Sequence, residues 1–342
     1  MSKLKFAIVG CGHIAQRHAE HINDQASLVA VCDIVEQKAE DLAKKYSCNA
    51  FTDLEELLKV QKDVDVVSIC TPNALHAGQS ILALSKEKHV VCEKPMATNL
   101  SDGKNIVDAV SKTDRKFFVI KQNRFNPPIR ALKEAVDEGK LGKIVNVQVN
   151  CFWNRNNQYY QNSDWKGKKD IDGGTLYTQF SHFVDLMYWF VGDVKEVHAF
   201  GKNFFHQDLV EFEDTGVVAL EFESGALGTI NYTVNSYEKN MEGSITLFGE
   251  KGSVKVGGQY LNALEYQKIE GYEIKGVDES RPANDYGYYQ GSMSNHDKVY
   301  KNVIDVLSGN GVVATTAYEG MKTVEIIEKI YDKINMNGNF KK

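Results

Sequence analysis

The first 120 residues alternate short apolar runs with segments that place apolar side chains every three or four positions. Residues 5–10, KFAIVG, form an apolar run ending on glycine, which predicts a buried parallel strand. The spacing then predicts a helix over 14–23, a strand over 28–32, a helix over 36–45, a short strand over 49–51 and a helix over 54–59. A strand over 64–70 closes at Thr71-Pro72, a helix covers 76–86, and a strand over 89–93 closes at Lys94-Pro95. A helix over 101–112 and a strand over 116–120 complete the series. Such βα alternation implies right-handed crossovers and one parallel sheet with helices on both faces.

After Ile120 the pattern changes. A helix is predicted over 128–139 and a long strand over 144–152, followed by a polar and aromatic loop, 153–172, without apolar periodicity. A helix over 176–191 leads into strands over 194–204, 214–223, 226–236, 243–249 and 252–256, joined by glycine-containing turns. Helices at about 294–308 and 317–336 close the chain. The expected fold class is therefore α/β, with a second α+β domain on a large, mostly antiparallel open sheet. The division expected from the pattern change is 1–122 and 123–342.

The chain has 342 residues, enough for two domains with sizeable cores. A net charge of -6 without a long basic run argues against general nucleic-acid binding, although a local anion site remains compatible with it. The start, MSKLKFAIVG, lacks signal-peptide anatomy. No stretch approaches the roughly 18–20 apolar residues of a membrane span. None of the six cysteines forms a CxxC pair, and Cys11, Cys32, Cys70 and Cys92 lie in or beside strand-like runs. These features lead us to expect reduced, buried thiols in a cytoplasmic protein without a membrane partner.

Gly10-Cys11-Gly12-His13-Ile14-Ala15 reads GxGxxA between a strand and a helix. The first glycine makes the tight turn, the second lets a pyrophosphate approach the backbone, and the small Ala15 allows close helix–strand packing. The helix N-terminus offers free N–H groups to the phosphates. Asp33 ends the second strand about 20 residues on, where a carboxylate accepts the ribose hydroxyls and repels a 2′-phosphate. Ile34 and Val35 follow it in place of a basic residue, so NAD is the expected cofactor. This makes 1–122 a Rossmann domain, with Gly10, Gly12, His13, Ile14 and Asp33 at the dinucleotide. Thr71, Pro72, Asn73 and His76 lie at the carboxyl end of a later strand, where ligands of doubly wound sheets bind. Glu93 and Lys94 end the next strand on the same edge.

With GxGxxA and the Cys70-Thr71-Pro72-Asn73-x-x-His76 segment, Glu93-Lys94-Pro95 resembles the Gfo/Idh/MocA family of sugar and inositol oxidoreductases. The resemblance implies a C-terminal domain for substrate binding and oligomerisation, as a homodimer or homotetramer, and a catalytic Lys94 near the nicotinamide and the reacting hydroxyl. A partly desolvated lysine beside a cationic nicotinamide has its charged form disfavoured, which suits acid–base work. The segment from Gly173 to Asp185 resembles the family's GGG-x-L-x-D-x-G-x-H-x-x-D. His182 aligns with the family histidine and is the expected proton relay; its alternative is a helix histidine held by structural hydrogen bonds. Thr178 departs from the usual aspartate and can only hydrogen-bond. Gln179 resembles the branch acting on nucleotide-linked amino sugars.

Lys121, Asn123 and Arg124 leave the last strand of the first domain, placed to hold substrate oxygens; Arg124 serves equally well in an interdomain salt bridge. In the loop 153–172, Arg155, Tyr160 and Trp165 offer cations and aromatic faces to a nucleotide sugar, or pack the loop on a sheet edge. Arg281 and Tyr286 carry the same pair of readings. The nine histidines are scattered without HExxH or a Cys/His cluster, so no metal site is expected. The leading reading is hydride transfer from a sugar ring hydroxyl. The resemblance points to C3 of a UDP-N-acetylamino sugar acid, in the synthesis of surface polysaccharide sugars. The alternatives are a free sugar or inositol dehydrogenase and a non-enzymatic NAD-binding regulator. Asp33→Ser combined with Ile34→Arg should shift preference from NAD towards NADP in cofactor titrations; equal wild-type affinity for the two would refute the role given to Asp33.

Overall fold

The computed structural model describes residues 3–280, 282–285, 287 and 289–336. Arg281 and Tyr286 lie outside the described residues. The chain forms two compact units, residues 3–120 with 296–324 and residues 121–295 with 325–336.

In the first unit, β1 (Lys5–Val9), α1 (His13–Gln25), β2 (Ser27–Cys32), α2 (Glu36–Tyr46), β3 (Asn49–Phe51) and α3 (Leu54–Val60) form the first half. The second half is β4 (Val66–Ile69), α4 (His76–Ser85), β5 (His89–Cys92), α5 (Leu100–Ser111) and β6 (Phe117–Val119). The six strands run parallel in the order β3-β2-β1-β4-β5-β6. The switch in strand order lies between β1 and β4, which is where such sheets open a crevice for a dinucleotide. Helices on both faces explain why β1, β4 and β5 read as nearly continuous apolar runs: both faces are covered, and almost all of these residues are buried.

The second unit begins with α6 (Pro127–Asp137) and β7 (Ile144–Phe152), then α7 (Asn157–Gln161), α8 (Lys169–Asp172) and α9 (Ser181–Val191). A π-helical turn, Leu176–Phe180, leads into α9. There follow β8 (Val194–Lys202), β9 (Thr215–Phe222), β10 (Leu227–Thr233), β11 (Glu242–Gly249), β12 (Gly252–Gly257) and β13 (Ala263–Ile269). The sheet order is β13-β12-β11-β7-β10-β9-β8, antiparallel except for β7 with β10. One face, with Val149, Leu220, Ile230 and Ile245, is buried, and α9 packs on β7. The other exposes Phe200, Val217 and Leu227. A small ribbon, β14 (Ala283–Asp285) with β15 (Gln290–Met293), precedes α10 (His296–Leu307) and α11 (Ala317–Met336).

Three departures from the sequence reading have physical reasons. The loop 153–172 contains α7 and α8, and Trp153, Tyr159 and Tyr160 are buried. Its aromatic residues are core in a segment too short for helical periodicity to show. Strand β13 was not expected because it is an edge strand that buries only Ile269, so no apolar alternation marks it. The segment 296–324, assigned by the pattern to the second domain, packs with the first: α10 lies on α1, and Val119 N–H donates to Thr315 O at 3.1 Å. Among the described residues no helix is long and apolar enough to cross a membrane.

The turn leading into α9 is pinned from below by a buried acid. Glu213 Oε1 accepts hydrogen bonds from Tyr331 at 2.8 Å and Tyr232 at 3.0 Å, and Tyr331 Oη accepts from Leu176 N–H at 3.0 Å. Thr175 Oγ1 donates to Glu213 O. A Cβ at Gly174 would overlap the Tyr331 hydroxyl, so that position needs glycine. Burial pushes the Glu213 carboxyl up to about 8. The native state therefore holds this proton between the ordinary carboxyl value and about pH 8, and stability falls as pH rises through that window. Glu213→Gln keeps an acceptor for both tyrosines and removes the titration. Its thermal stability relative to wild type should rise with pH between about 5 and 9, by several degrees at roughly 2–4 °C per kcal/mol. A pH-independent difference would show that Glu213 does not titrate in this window.

Candidate active site

Gly10 has φ +89°, and a Cβ there would lie 2.8 Å from the Cys70 carbonyl and the Thr71 amide. The β1 turn can therefore lie against the end of β4 only with glycine at this position. Nothing lies within 4 Å of a Cβ built on Gly12, so the space in front of the α1 N-terminus is open. The caps of α3 and α5 bond their first turns through Asp53 and Asn99, whereas Gly12 caps α1 without a side chain. His13 is exposed and Ile14 half-buried on the first turn. Asp33 Oδ2 accepts from Cys11 N–H at 2.8 Å and Oδ1 from Val35 N–H at 2.9 Å, fixing the carboxylate beside the glycine turn. Ile34, 90% exposed, supplies no competing cation. These residues fit a dinucleotide: bare glycine at the phosphates, free N–H groups and a carboxylate for the ribose.

Thr71 and Pro72 are half-buried and Asn73 is buried at the end of β4. The His76 ring is buried with Nδ1 2.6 Å from Pro95 O and Nε2 2.8 Å from Thr71 O. His76 thus ties the two strand-end loops together. Lys94 is half-buried, and the Lys94–Pro95 peptide is cis.

Beneath Lys94 lies a buried polar cluster. Glu93 Oε2 accepts from Lys94 N–H at 3.0 Å, and Oε1 is 2.9 Å from His18 Nε2 and 3.5 Å from His296 Nε2. His18 Nδ1 is 2.6 Å from the Tyr300 hydroxyl, itself 3.0 Å from Ser68 Oγ. Burial alone would raise the Glu93 carboxyl, but hydrogen bonds and charge from His18 and His296 outweigh it and hold it well below the usual range. Burial lowers the His296 ring. Among the described residues, His18, Glu93 and His296 are the group whose donor atoms, all within 4.8 Å of one another, could hold a metal ion. No sequence signal joins them, since His18 and Tyr300 stand 282 positions apart.

In the second unit, Lys121, Asn123 and Arg124 are all buried. Lys121 Nζ donates to Ser181 O at 3.1 Å, and Ser292 Oγ donates to Asn123 Oδ1 at 2.5 Å. Arg124 forms a two-pronged ion pair with Asp185, Nε to Oδ2 at 2.8 Å and Nη2 to Oδ1 at 2.9 Å, with its guanidinium 4.8 Å from the Trp189 ring centre. Arg124 thus forms a salt bridge, but within the second unit and not between domains.

Arg155 is 2% exposed. Its Nε donates to Gln179 Oε1 at 2.6 Å, and Nη1 donates to Asn154 O at 2.6 Å and to Asn240 Oδ1 at 3.3 Å. Rings of Trp153, Tyr159 and Tyr289 surround it at 5.1–5.3 Å. Among the described residues no carboxylate pairs with this cation. Gln179 Nε2 donates to the Tyr159 hydroxyl at 2.7 Å, so Gln179 orients both. Tyr160, expected to offer a face to substrate, instead packs in a cluster with Tyr159, Val210 and Phe212. Its apolar ring is worth more in the core than in water. Trp165 is half-buried, and Lys166 lies 3.8 Å above the Tyr159 ring centre. Thr178 donates to the carboxylate of Asp172, a residue the sequence did not single out. A carboxylate therefore does stand beside Thr178, contributed by the end of α8 in place of the helix itself. His182 is buried on the first turn of α9.

A doubly wound sheet, a glycine turn closed by Asp33 and a lysine at the end of β5 define a nicotinamide-dependent oxidoreductase. Residues 4–121 match the model of the oxidoreductase family with an NAD-binding Rossmann fold, and residues 129–255 match the GFO/IDH/MocA C-terminal domain. The chain belongs to the Gfo/Idh/MocA family and is an NAD-dependent sugar oxidoreductase of that type. It is 37% identical to the WlbA dehydrogenase of Chromobacterium violaceum, solved with NADH and UDP-GlcNAcA, covering 98% of this chain and 95% of that one at a TM-score of 0.89. The WlbA dehydrogenase of Bordetella pertussis, with the same ligands, is 36% identical over 98% and 97%, with a TM-score of 0.86. A myo-inositol 2-dehydrogenase of Thermotoga maritima is 29% identical over 73% of this chain and 74% of its own length.

Removing Arg124 alone would strand the Asp185 carboxylate in the interior. Arg124→Leu should destabilise the protein by about 3–5 kcal/mol, and Arg124→Leu with Asp185→Leu should recover part of that loss. Chemical denaturation of the three proteins checks this. A single-variant loss below about 1 kcal/mol, the range of an exposed pair, would refute a structural role for the bridge.

Proposed function

We propose that this protein oxidises C3 of a UDP-linked N-acetylamino sugar acid, such as UDP-N-acetylglucosaminuronate, in the synthesis of surface polysaccharide sugars. The observation that carries this reading is Arg155: a buried guanidinium whose hydrogen bonds, among the described residues, go to neutral oxygens. A buried charge without a counter-charge is expensive, and a carboxylate or phosphate of the substrate would relieve it. Neither a free neutral sugar nor inositol brings such an anion. The two WlbA dehydrogenases, which match nearly the whole chain, are solved in complex with a molecule of this class, UDP-GlcNAcA.

Gly10, Gly12, Asp33 and the α1 N-terminus would hold the dinucleotide, which supplies the acceptor for the hydride leaving the carbinol carbon. Lys94 takes the proton of the reacting hydroxyl as the C–O bond becomes a carbonyl. His182 relays that proton onward. Lys121 and Arg155 meet the acidic groups of the substrate, each charge-assisted contact contributing about 1.5–3 kcal/mol.

Lys94→Ala should retain NAD affinity and lose turnover by about 100- to 10,000-fold, the range for a general acid–base group. His182→Asn should lose less. Rapid-mixing fluorescence and absorbance at 340 nm separate the two quantities. On the wild type, UDP-N-acetylglucosaminuronate should reduce enzyme-bound NAD at least a hundredfold more efficiently than free N-acetylglucosamine, with UDP-N-acetylglucosamine between them. Equal activity on the free sugar, or activity on inositol alone, would overturn the nucleotide-sugar reading and leave the oxidoreductase class intact.

A further inference from the structure

We propose that the buried chain Ser68–Tyr300–His18–Glu93, together with His296, is a positioning device for Lys94. This inference rests on the reading of Lys94 as the acid–base group. The direction of the bonds is fixed at the carboxylate end. An ionised carboxylate accepts hydrogen bonds and donates none, so His18 Nε2 must carry the proton that faces Glu93 Oε1 at 2.9 Å. His18 Nδ1, on the far side of the ring, lies 2.6 Å from the Tyr300 hydroxyl. Tyr300 Oη in turn lies 3.0 Å from Ser68 Oγ, a hydroxyl pair in which either oxygen can donate. At the other end Glu93 Oε2 accepts the main-chain N–H of Lys94 at 3.0 Å. The line of polar bonds ends on the backbone of the residue that does the chemistry.

The burial makes this line stiff. His18, Ser68 and Tyr300 are 0% exposed, and His296 is 1% exposed. No water competes for these groups, and each bond lost leaves a buried partner unsatisfied. His296 approaches the same Glu93 oxygen at 3.5 Å from α10, so the carboxylate is gripped from α1, from α10 and from its own loop. Proton transfer is sensitive to displacements of about 1 Å in the group that performs it. Freed from this grip, the Lys94 backbone would settle elsewhere.

A scaffold without catalytic bearing would satisfy the same geometry, and so would a metal site, so the test separates them. Tyr300→Phe removes only the hydroxyl that bonds His18 Nδ1. Glu93→Gln replaces an acceptor by an amide that cannot accept from both His18 and Lys94. Both should lower kcat about 10- to 100-fold with the NAD dissociation constant within about twofold of wild type. In a Lys94→Ala background, Tyr300→Phe should cause no further loss of kcat, because residues acting through one group are non-additive. Losses that add in the double variant, or a parallel loss of kcat, NAD affinity and thermal stability, would mark the network as scaffold and overturn the proposal. If Lys94→Ala abolishes turnover while Tyr300→Phe and Glu93→Gln keep it, the positioning idea falls and Lys94 keeps its role. If Lys94→Ala retains turnover, both fall. Stoichiometric zinc by elemental analysis, with kcat lost on chelation, would overturn it too, since His18 Nε2 would then be a ligand and not a donor.

Discussion

An ionised carboxylate inside a protein must be surrounded by donors or it does not stay ionised. Glu93 meets that demand at the end of β5, and much of the first unit is arranged around how it does so. Its hydrogen-bond donors come from α1 and from the residue that follows it, and His296 of α10 stands 3.5 Å away. The turn at Gly10, the end of β4 and the loop after β5 are held on one edge of the sheet, with His76 strapping two of those loops together. A dinucleotide site needs such an edge to be rigid, because phosphates are read by backbone N–H groups whose direction is set by the turn itself.

The second unit handles charge in two ways. Arg124 and Asp185 neutralise one another in the interior. Arg155 is surrounded by neutral amide and carbonyl oxygens and by aromatic faces, which soften the burial of a cation without cancelling its charge. The first arrangement is a closed pair and stabilises the fold around α9. The second leaves a buried cation without a carboxylate partner among the described residues. Two arginines in one unit are thus distinguished by their partners and not by their burial, which is nearly identical.

Much of the first unit was legible along the chain because its strands are buried on both faces and its helices have an apolar stripe. The dinucleotide residues were legible for a different reason: glycine, carboxylate and turn occur within one local segment. The long strands of the second sheet could be read from their alternation, but β13 could not, because an edge strand with both faces wet has none. The aromatic residues of 153–172 were ambiguous, since tyrosine and tryptophan serve cores and ligands alike. The structure resolves Tyr160 as core and Arg155 as a buried cation held by Gln179. Asp172 beside Thr178, and His18, His296 and Tyr300 around Glu93, were invisible because such contacts depend on how distant segments fold together.

The first unit is also discontinuous, and this bears on how the protein is made. Its sheet is complete at Val119, yet α10, which carries His296 and Tyr300, is not encountered until the chain has passed through the whole second sheet. At a synthesis rate of roughly 5–20 residues per second, the intervening segment takes on the order of ten seconds or more to emerge from the ribosome. Throughout that interval the nascent first sheet has Glu93 without His296 and His18 without its tyrosine. An early N-terminal intermediate would therefore hold this acid more loosely than the finished protein does. The α10 segment acts as a late keystone, so that a ribosome stalled within the second sheet would display a nucleotide-binding lobe whose reactive edge had not yet been set.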